Sequence, residues 1–169
     1  MRFQTDEWIV HPRHGVGQVT KVEKRQFGQR PAQEYYKIAI TAGTIWVPVD
    51  EPSCGLRGIT ANADLDIYRD LLRGRPTPLT RNHKERYLEL VERLEEYTFL
   101  SVCEVVRDLM AYSWHKPLNE STGTLLRRTR HQLCAEWALA GELSEAKAMR
   151  EVDALLLEGK EAYKETTVV

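Results

Sequence analysis

Apolar and polar residues alternate in two runs near the amino terminus, Tyr36, Ile38, Ile40 and then Ile45, Val47, Val49. A period of two puts each set on one face of a strand. Ala42-Gly43 between the runs reads as a hairpin turn. Trp8-Ile9-Val10-His11 and the stretch from Gly15 to Arg25 predict two earlier strands. Gln26 to Gln33, with Gly28 and Pro31, reads as a polar loop. The alternation slips around Val16, Val19 and Val22, which predicts a bulge. Four or five short antiparallel strands in about sixty residues predict a small, strongly bent sheet or barrel.

After Thr60 the period lengthens to that of a helix. Asn82 with Glu85, and Ser101 with Glu104, have capping-box spacing and predict two helix starts. Tyr87, Leu90, Val91, Leu94 and then Val102, Val105, Val106, Leu109 each give one apolar stripe, and Pro117 is read as the end of the second helix. Asn119 predicts the cap of a third, on which Leu126, Thr129, Leu133, Trp137 and Ala140 share a face before Gly141 stops it. Ser144 caps a fourth running to about Glu158. Asn62 to Leu72 is a shorter leading helix, and Arg73-Gly74-Arg75-Pro76-Thr77-Pro78 a stiff connector. Neither an internal repeat nor a low-complexity tract is present.

Composition changes this picture little. The chain has 24 Lys+Arg against 25 Asp+Glu, a net charge of −1, which excludes the uniform basic field of a non-specific nucleic-acid binder but not a local patch. No apolar run approaches the ~20 residues of a membrane span, and the first residues lack a signal-peptide core, so a cytoplasmic protein is expected. Cys54, Cys103 and Cys134 are odd in number, far apart and without C-x-x-C. Neither a disulfide framework nor a zinc finger is indicated. Reduced, mostly buried thiols are expected.

Catalytic signatures are missing: there is no Walker-type phosphate loop, no G-x-S-x-G and no H-E-x-x-H. His11 and His14 with Cys54 have the donor types of a metal site, but His-Pro and His-Gly at a strand end are ordinary turn chemistry. Asp64, Asp66 and Asp70 read as a solvated helix face. Trp8 and Trp137 fall on apolar faces and read as core. Trp46 alternates out of phase with Ile45, Val47 and Val49, so its ring belongs on the opposite face of the sheet, where an exposed aromatic is a binding signal. Trp114, beside His115 and Pro117 at a helix end, fits either role. Arg127, Arg130 and His131, at i, i+3, i+4 next to Arg128, form one stripe that could meet phosphates; the other reading is a solvated face paired with glutamates.

An ordered series of motifs then becomes familiar. His11-Pro12-Arg13-His14-Gly15-Val16-Gly17, Tyr35-Tyr36-Lys37-Ile38, Val47-Pro48-Val49 and Gly55-Leu56-Arg57 resemble the amino-terminal module of CarD-type bacterial transcription regulators. Glu104-Val105-Val106-Arg107-Asp108-Leu109 is similar to the family's "EVVRDL" helix, and the likeness runs over about residues 3–158. The β module also resembles the polymerase-binding part of transcription-repair coupling factors, but this chain has no helicase motifs.

The resemblance implies a Tudor-like β module docked on the β subunit of bacterial RNA polymerase, and a helical domain lying on promoter DNA at the upstream edge of the melted bubble. There a family tryptophan wedges into the minor groove and stabilises the open complex. It implies polymerase-binding roles for Arg25, Trp46 and Pro48, no catalysis and no cofactor. On the DNA side this chain departs from the family: in Asn82-His83-Lys84-Glu85-Arg86-Tyr87, His83 stands where the tryptophan is expected, Glu85 where a basic residue is frequent, and Gly123 at another basic position. The DNA contacts expected by carry-over and compensation are His83, Arg81, Lys84, Arg86, Arg127 and Arg130. The expected fold class is α+β: a small bent antiparallel β module over 1–60 that binds polymerase, a compact all-helical DNA-facing domain over 61–159, and a frayed tail over 160–169. The expected function is a monomeric regulator of open-complex stability with a weakened or altered DNA wedge. The alternative is a polymerase-binding adaptor that no longer contacts DNA.

Overall fold

Among the described residues the period-two segments form a five-stranded antiparallel sheet, and the 3.6-period segments form five α-helices, so the fold class is α+β with a Tudor-like sheet module first. The structure is a computed structural model and describes residues 2–51 and 55–164. The chain divides into two compact units, Met1–Ile59 and Thr60–Val169.

In the first unit β1 (Trp8–His11), β2 (Gly15–Arg25), β3 (Gln33–Ile40) and β4 (Gly43–Pro48) form a meander, and β5 (Arg57–Gly58) returns to pair with β1, giving the order β4-β3-β2-β1-β5. Ile40 opposes Gly43, so the tight turn is Thr41-Ala42, and Gly43 takes φ +139° as β4 begins. The expected bulge falls between Val19 and Lys21: Val19 opposes Ile38 and Lys21 opposes Lys37, leaving Thr20 unpaired in the ladder. Its hydroxyl donates to the Lys37 carbonyl at 3.0 Å, and the extra residue bends the strand. Gly17 permits a close approach, since a Cβ there would stand 2.7 Å from Ile38 Cγ2. One face buries Ile9, Val19, Tyr36, Ile38 and Val47. Trp8, expected in the core, is instead 40% exposed, because strand alternation that buries Ile9 turns its neighbour outward.

The second unit opens with a 3₁₀ turn (Asn62–Asp64) running into α1 (Leu65–Leu72), where a single helix was expected. α2 (His83–Leu94), α3 (Phe99–Ser113), α4 (Glu120–Gly141) and α5 (Glu145–Ala162) follow. Asn82, Asn119 and Ser144 cap as their positions predict, each side chain accepting amides of the first turn. Ser101 does not cap α3. Thr98 does, its hydroxyl accepting the Ser101 amide at 3.0 Å, and the helix starts a turn earlier because Phe99, 4% exposed, belongs to the core. α3 ends at Ser113, ahead of Pro117, and α5 continues past Glu158 to Ala162, so the start of the expected tail is helical; 165–169 lie outside the described residues. Leu90, Val105, Val106, Leu109, Leu133, Trp137, Val152 and Leu156 form the core of this unit.

Two polar devices hold it. Asp108, fully buried on α3, accepts the Thr77 amide at 2.9 Å and Arg107 Nε at 2.8 Å on one oxygen and Arg93 Nη2 at 2.8 Å on the other. This fastens the connector before α2 to the middle of α3. Glu136 on α4, 2% exposed, accepts the Thr60 amide at 2.9 Å, and Asn62 donates to the Ala140 carbonyl at 2.9 Å. These bonds tie the first residues of the unit to the end of α4.

Candidate functional site

Strand register decides which side chains share the outer face of the sheet. Glu23 opposes Tyr35, which opposes Pro48, and Lys37 opposes Trp46, so Glu23, Tyr35, Trp46 and Pro48 project away from the core face of Val22, Tyr36 and Val47. Arg25, two residues beyond Glu23, joins them. Its guanidinium carbon lies 4.7 Å from the Trp46 ring centroid and 5.7 Å from that of Phe27, within cation–π range of both. Phe27 meets Tyr35 edge-on at 4.9 Å and Trp46 at 6.2 Å. Glu23 braces the group: Arg25 Nε lies 3.3 Å from its carboxylate, and Trp46 Nε1 donates to it at 3.5 Å, the long limit of a hydrogen bond. The Lys21 hydrogen bond, helped by Trp46 and by the charges of Lys21 and Arg25, holds the Glu23 carboxyl below its ordinary value despite partial desolvation.

The result is a cation set against two adjoining rings, Phe27 41% exposed and Trp46 half-buried. Among the described residues β4 pairs only with β3, so Trp46 and Pro48 stand on a free sheet edge. Sequence reasoning named Arg25, Trp46 and Pro48 but missed Phe27, Tyr35 and Glu23. The register of Tyr35 opposite Glu23 was the signal available for two of these.

The candidate nucleic-acid residues sort differently. Asn82 Oδ1 accepts the Lys84 and Glu85 amides at 3.0 and 3.3 Å, and His83 and Lys84 are exposed on the first turn of α2, as is Arg81 just before it. Arg86 corrects the expectation. It is 3% exposed, donating to the Thr80 and Arg81 carbonyls at 2.9 and 3.2 Å and to the Tyr112 hydroxyl at 3.1 Å, with its guanidinium 4.3 Å from the Tyr112 ring centroid. It stands on the buried stripe of α2 with Leu90 and cannot reach a phosphate from there. Tyr87, expected on that stripe, is 36% exposed, and Leu88 is 66% exposed. The outward face of α2 therefore carries His83, Lys84, Tyr87 and Leu88.

On α4, Arg127, Arg128 and His131 are exposed, but Arg130 is half-buried and paired with Asp153 of α5. Arg127 also donates to Thr124 Oγ1 at 2.9 Å. The expected single exposed stripe is thus reduced to Arg127 and His131, beside a groove of about 580 Å³ lined by Trp114, Leu126, Met149 and Leu157. His11 and His14 rings lie 4.7 Å apart, while Cys54, the third proposed metal donor, lies outside the described residues. Among the described residues no three His, Cys, Asp or Glu side chains gather as a metal site, and no helix is long and apolar enough to cross a membrane.

Residues 3–59, the whole sheet unit, match the CarD-like/TRCF RID domain, and residues 68–153, from α1 into α5, match the CarD C-terminal domain. The chain belongs to the CarD family. A curated relative, "Putative transcription factor YdeB" of Bacillus subtilis (strain 168), is 26% identical over 136 residues, covering 79% of this chain and 89% of its own length. As a CarD-family member the chain is a transcription regulator and not an enzyme, and the sites above are to be read as binding surfaces.

Proposed function

We propose that this CarD-family chain docks on the β subunit of RNA polymerase through the β4 edge and the outer face of its sheet, and tunes the stability of the promoter open complex with its helical unit. The observation that carries the reading is the Arg25 guanidinium stacked on Trp46 at the free edge strand. An unpaired edge offers a ladder of backbone donors and acceptors, and side chains on alternate positions add specificity. Arg25, Trp46, Phe27 and Pro48 supply a rigid cationic and aromatic anchor of the type that dominates binding energy. The CarD-like/TRCF RID match over the same residues supports polymerase as the partner. The chain would act as a cytoplasmic monomer without a cofactor.

On the DNA side His83, Lys84 and Arg81 remain available on the helical unit, with Tyr87 and Leu88 as exposed apolar neighbours. An apolar or aromatic side chain pressed against an opened base step stabilises the distorted geometry. A histidine recovers only part of the ~1–3 kcal/mol that stacking on a base supplies. The burial of Arg86 and the pairing of Arg130 favour the second reading, a polymerase-bound adaptor with little DNA contact.

Two measurements separate these readings. Arg25→Glu with Trp46→Ala in the full chain should weaken capture by the polymerase β subunit by about 2–4 kcal/mol; unchanged capture would remove the docking assignment. His83→Trp should lengthen open-complex lifetime and His83→Ala shorten it slightly. Equal lifetimes for all three proteins, with polymerase capture intact and no salt-dependent promoter contribution, would establish the adaptor.

A further inference from the structure

Several cations of the helical unit are paired, and others, Lys84, Arg127, Arg128 and Arg150 among them, stand singly on its surface. Arg69, Arg73, Arg93, Arg107 and Arg130 each hold a carboxylate. Arg75, Arg81, His115 and Lys116 have no carboxylate partner among the described residues, and all four border one cavity of about 200 Å³ between the connector and the end of α3. Pro76, Pro78 and Tyr112 contribute its apolar walls. The place is well fixed: the two prolines stiffen the connector, and the Thr77 amide between them is held by Asp108.

The charge at this cavity lacks an internal answer. Asp108 also lines it, but its carboxylate is already shared by Arg93 and Arg107. Arg86 does not line the cavity but stacks on its Tyr112 wall, 3% exposed, with neutral acceptors only; its Nε has no partner, and no carboxylate lies within 4.0 Å among the described residues. A buried cation without a counter-charge is costly. The negative end of the α3 dipole accounts for His115 and Lys116, but not for Arg75 and Arg81, which sit on a different segment, nor for Arg86.

We propose that this cavity binds a phosphoryl anion, with Arg75, Arg81 and Lys116 around the oxygens and the proline and tyrosine walls against whatever carries the phosphate. At about 200 Å³ it is smaller than the ~300–1,000 Å³ of sites that enclose a whole ligand, so it takes a phosphate or diphosphate group rather than an entire cofactor. Guanidinium donors suit such oxygens in bidentate geometry. The phosphate comes either from a nucleic-acid strand or from a small phosphorylated molecule. The inference goes beyond polymerase docking and does not depend on it.

The test is a titration of the full-length, isotope-labelled chain with pyrophosphate, followed by amide chemical shifts. Saturable shifts confined to residues 75–81 and 111–116 are expected, with at least tenfold weaker binding in Arg75→Ala/Lys116→Ala and no change in Arg127→Ala/Arg128→Ala. Arg75→Gln and Lys116→Gln singly should each weaken binding about threefold, a check should the double variant lose its native spectrum. Bound pyrophosphate should raise the melting temperature of wild type and not of the double variant. Shifts spread over every exposed cation, or equal weakening by the α4 variant, would overturn the site as adventitious charge. In a second arm duplex DNA is added. Displacement of pyrophosphate with the same residues shifted upholds the site and makes a strand phosphate its ligand; undiminished pyrophosphate binding upholds it for a small phosphorylated molecule.

Discussion

Replacing Asp108 by alanine should cost the helical unit about 3–5 kcal/mol, the range for breaking a buried ion pair from one side. The carboxylate has no exposed surface and accepts three hydrogen bonds, two from arginines and one from the Thr77 amide. Removing it leaves two cations facing each other and frees the connector. Arg93 keeps only a 3.9 Å approach to Glu104, which is 36% exposed and offsets little. With a slope of roughly 1–3 kcal/mol per molar urea for a unit of this size, the midpoint followed by helical circular dichroism at 222 nm should fall by on the order of 2 M. Asp108→Leu with Arg93→Met and Arg107→Leu should recover most of the loss, because well-packed apolar side chains often replace a buried ionic group without penalty. A midpoint for Asp108→Ala within 0.3 M of wild type, roughly what 0.5 kcal/mol would give, would refute the claim that this group fastens the connector.

Two glycines on helices should respond oppositely to alanine. At Gly123 an added Cβ would meet only Arg127 Nη1 at 3.6 Å, so Gly123→Ala should stabilise by about 0.5–1 kcal/mol through helix propensity, read from the same urea midpoint. At Gly159 the Cβ would stand 3.0 Å from the Arg73 carbonyl oxygen, so Gly159→Ala should destabilise by about 1–3 kcal/mol. Burial, assisted by the charges of His14 and Arg13, lowers the His11 pKa below its ordinary 6.5. The unfolded chain therefore takes the proton more readily, and stability is lost as pH falls below about 6.5 toward the lowered folded value. Melts at pH 7.5 and 5.5 should differ less in His11→Gln than in wild type. Burial also raises Cys134 to about 11, so alkylation of its thiol in the native chain at pH 8 should be far slower than in urea.

The strands, the bulge and three of the caps were legible because each rests on a local rule: period two, one slipped residue, a side chain accepting amides of its own first turn. What was not legible required a partner distant in sequence. Arg86 occupies an apolar stripe because Tyr112, 26 residues on, receives both its donor and its charge. A hydropathy pattern marks that arginine as solvent-facing, and so shifts Tyr87 inward in error. Arg130 failed as a free cation for the same reason, since its Asp153 lies on the next helix. Trp8 failed locally: a bulky apolar residue beside Ile9 cannot share its face in a strand. In the candidate site Arg25, Trp46 and Pro48 were named from the sequence, but Phe27 follows the end of β2 and its contact with Trp46 depends on chain return through β3 and β4.

The bonds from Glu136 to Thr60 and from Asn62 to Ala140 also set a timetable for synthesis. They span 76 and 78 residues, and at ~5–20 residues per second a ribosome needs roughly 4–15 s to make that much chain. Arg69 waits longer still for Glu151, 82 residues downstream. The sheet unit has its last strand by Gly58, so a nascent chain carries a finished amino-terminal unit while the opening turn of the helical one stays unanchored. That interval leaves Leu65 and Leu72, each 1% exposed in the finished protein, as the apolar surface awaiting α3, α4 and α5. Truncation before α5 should therefore yield a chain whose sheet is native and whose leading helix is the first segment cut by a protease.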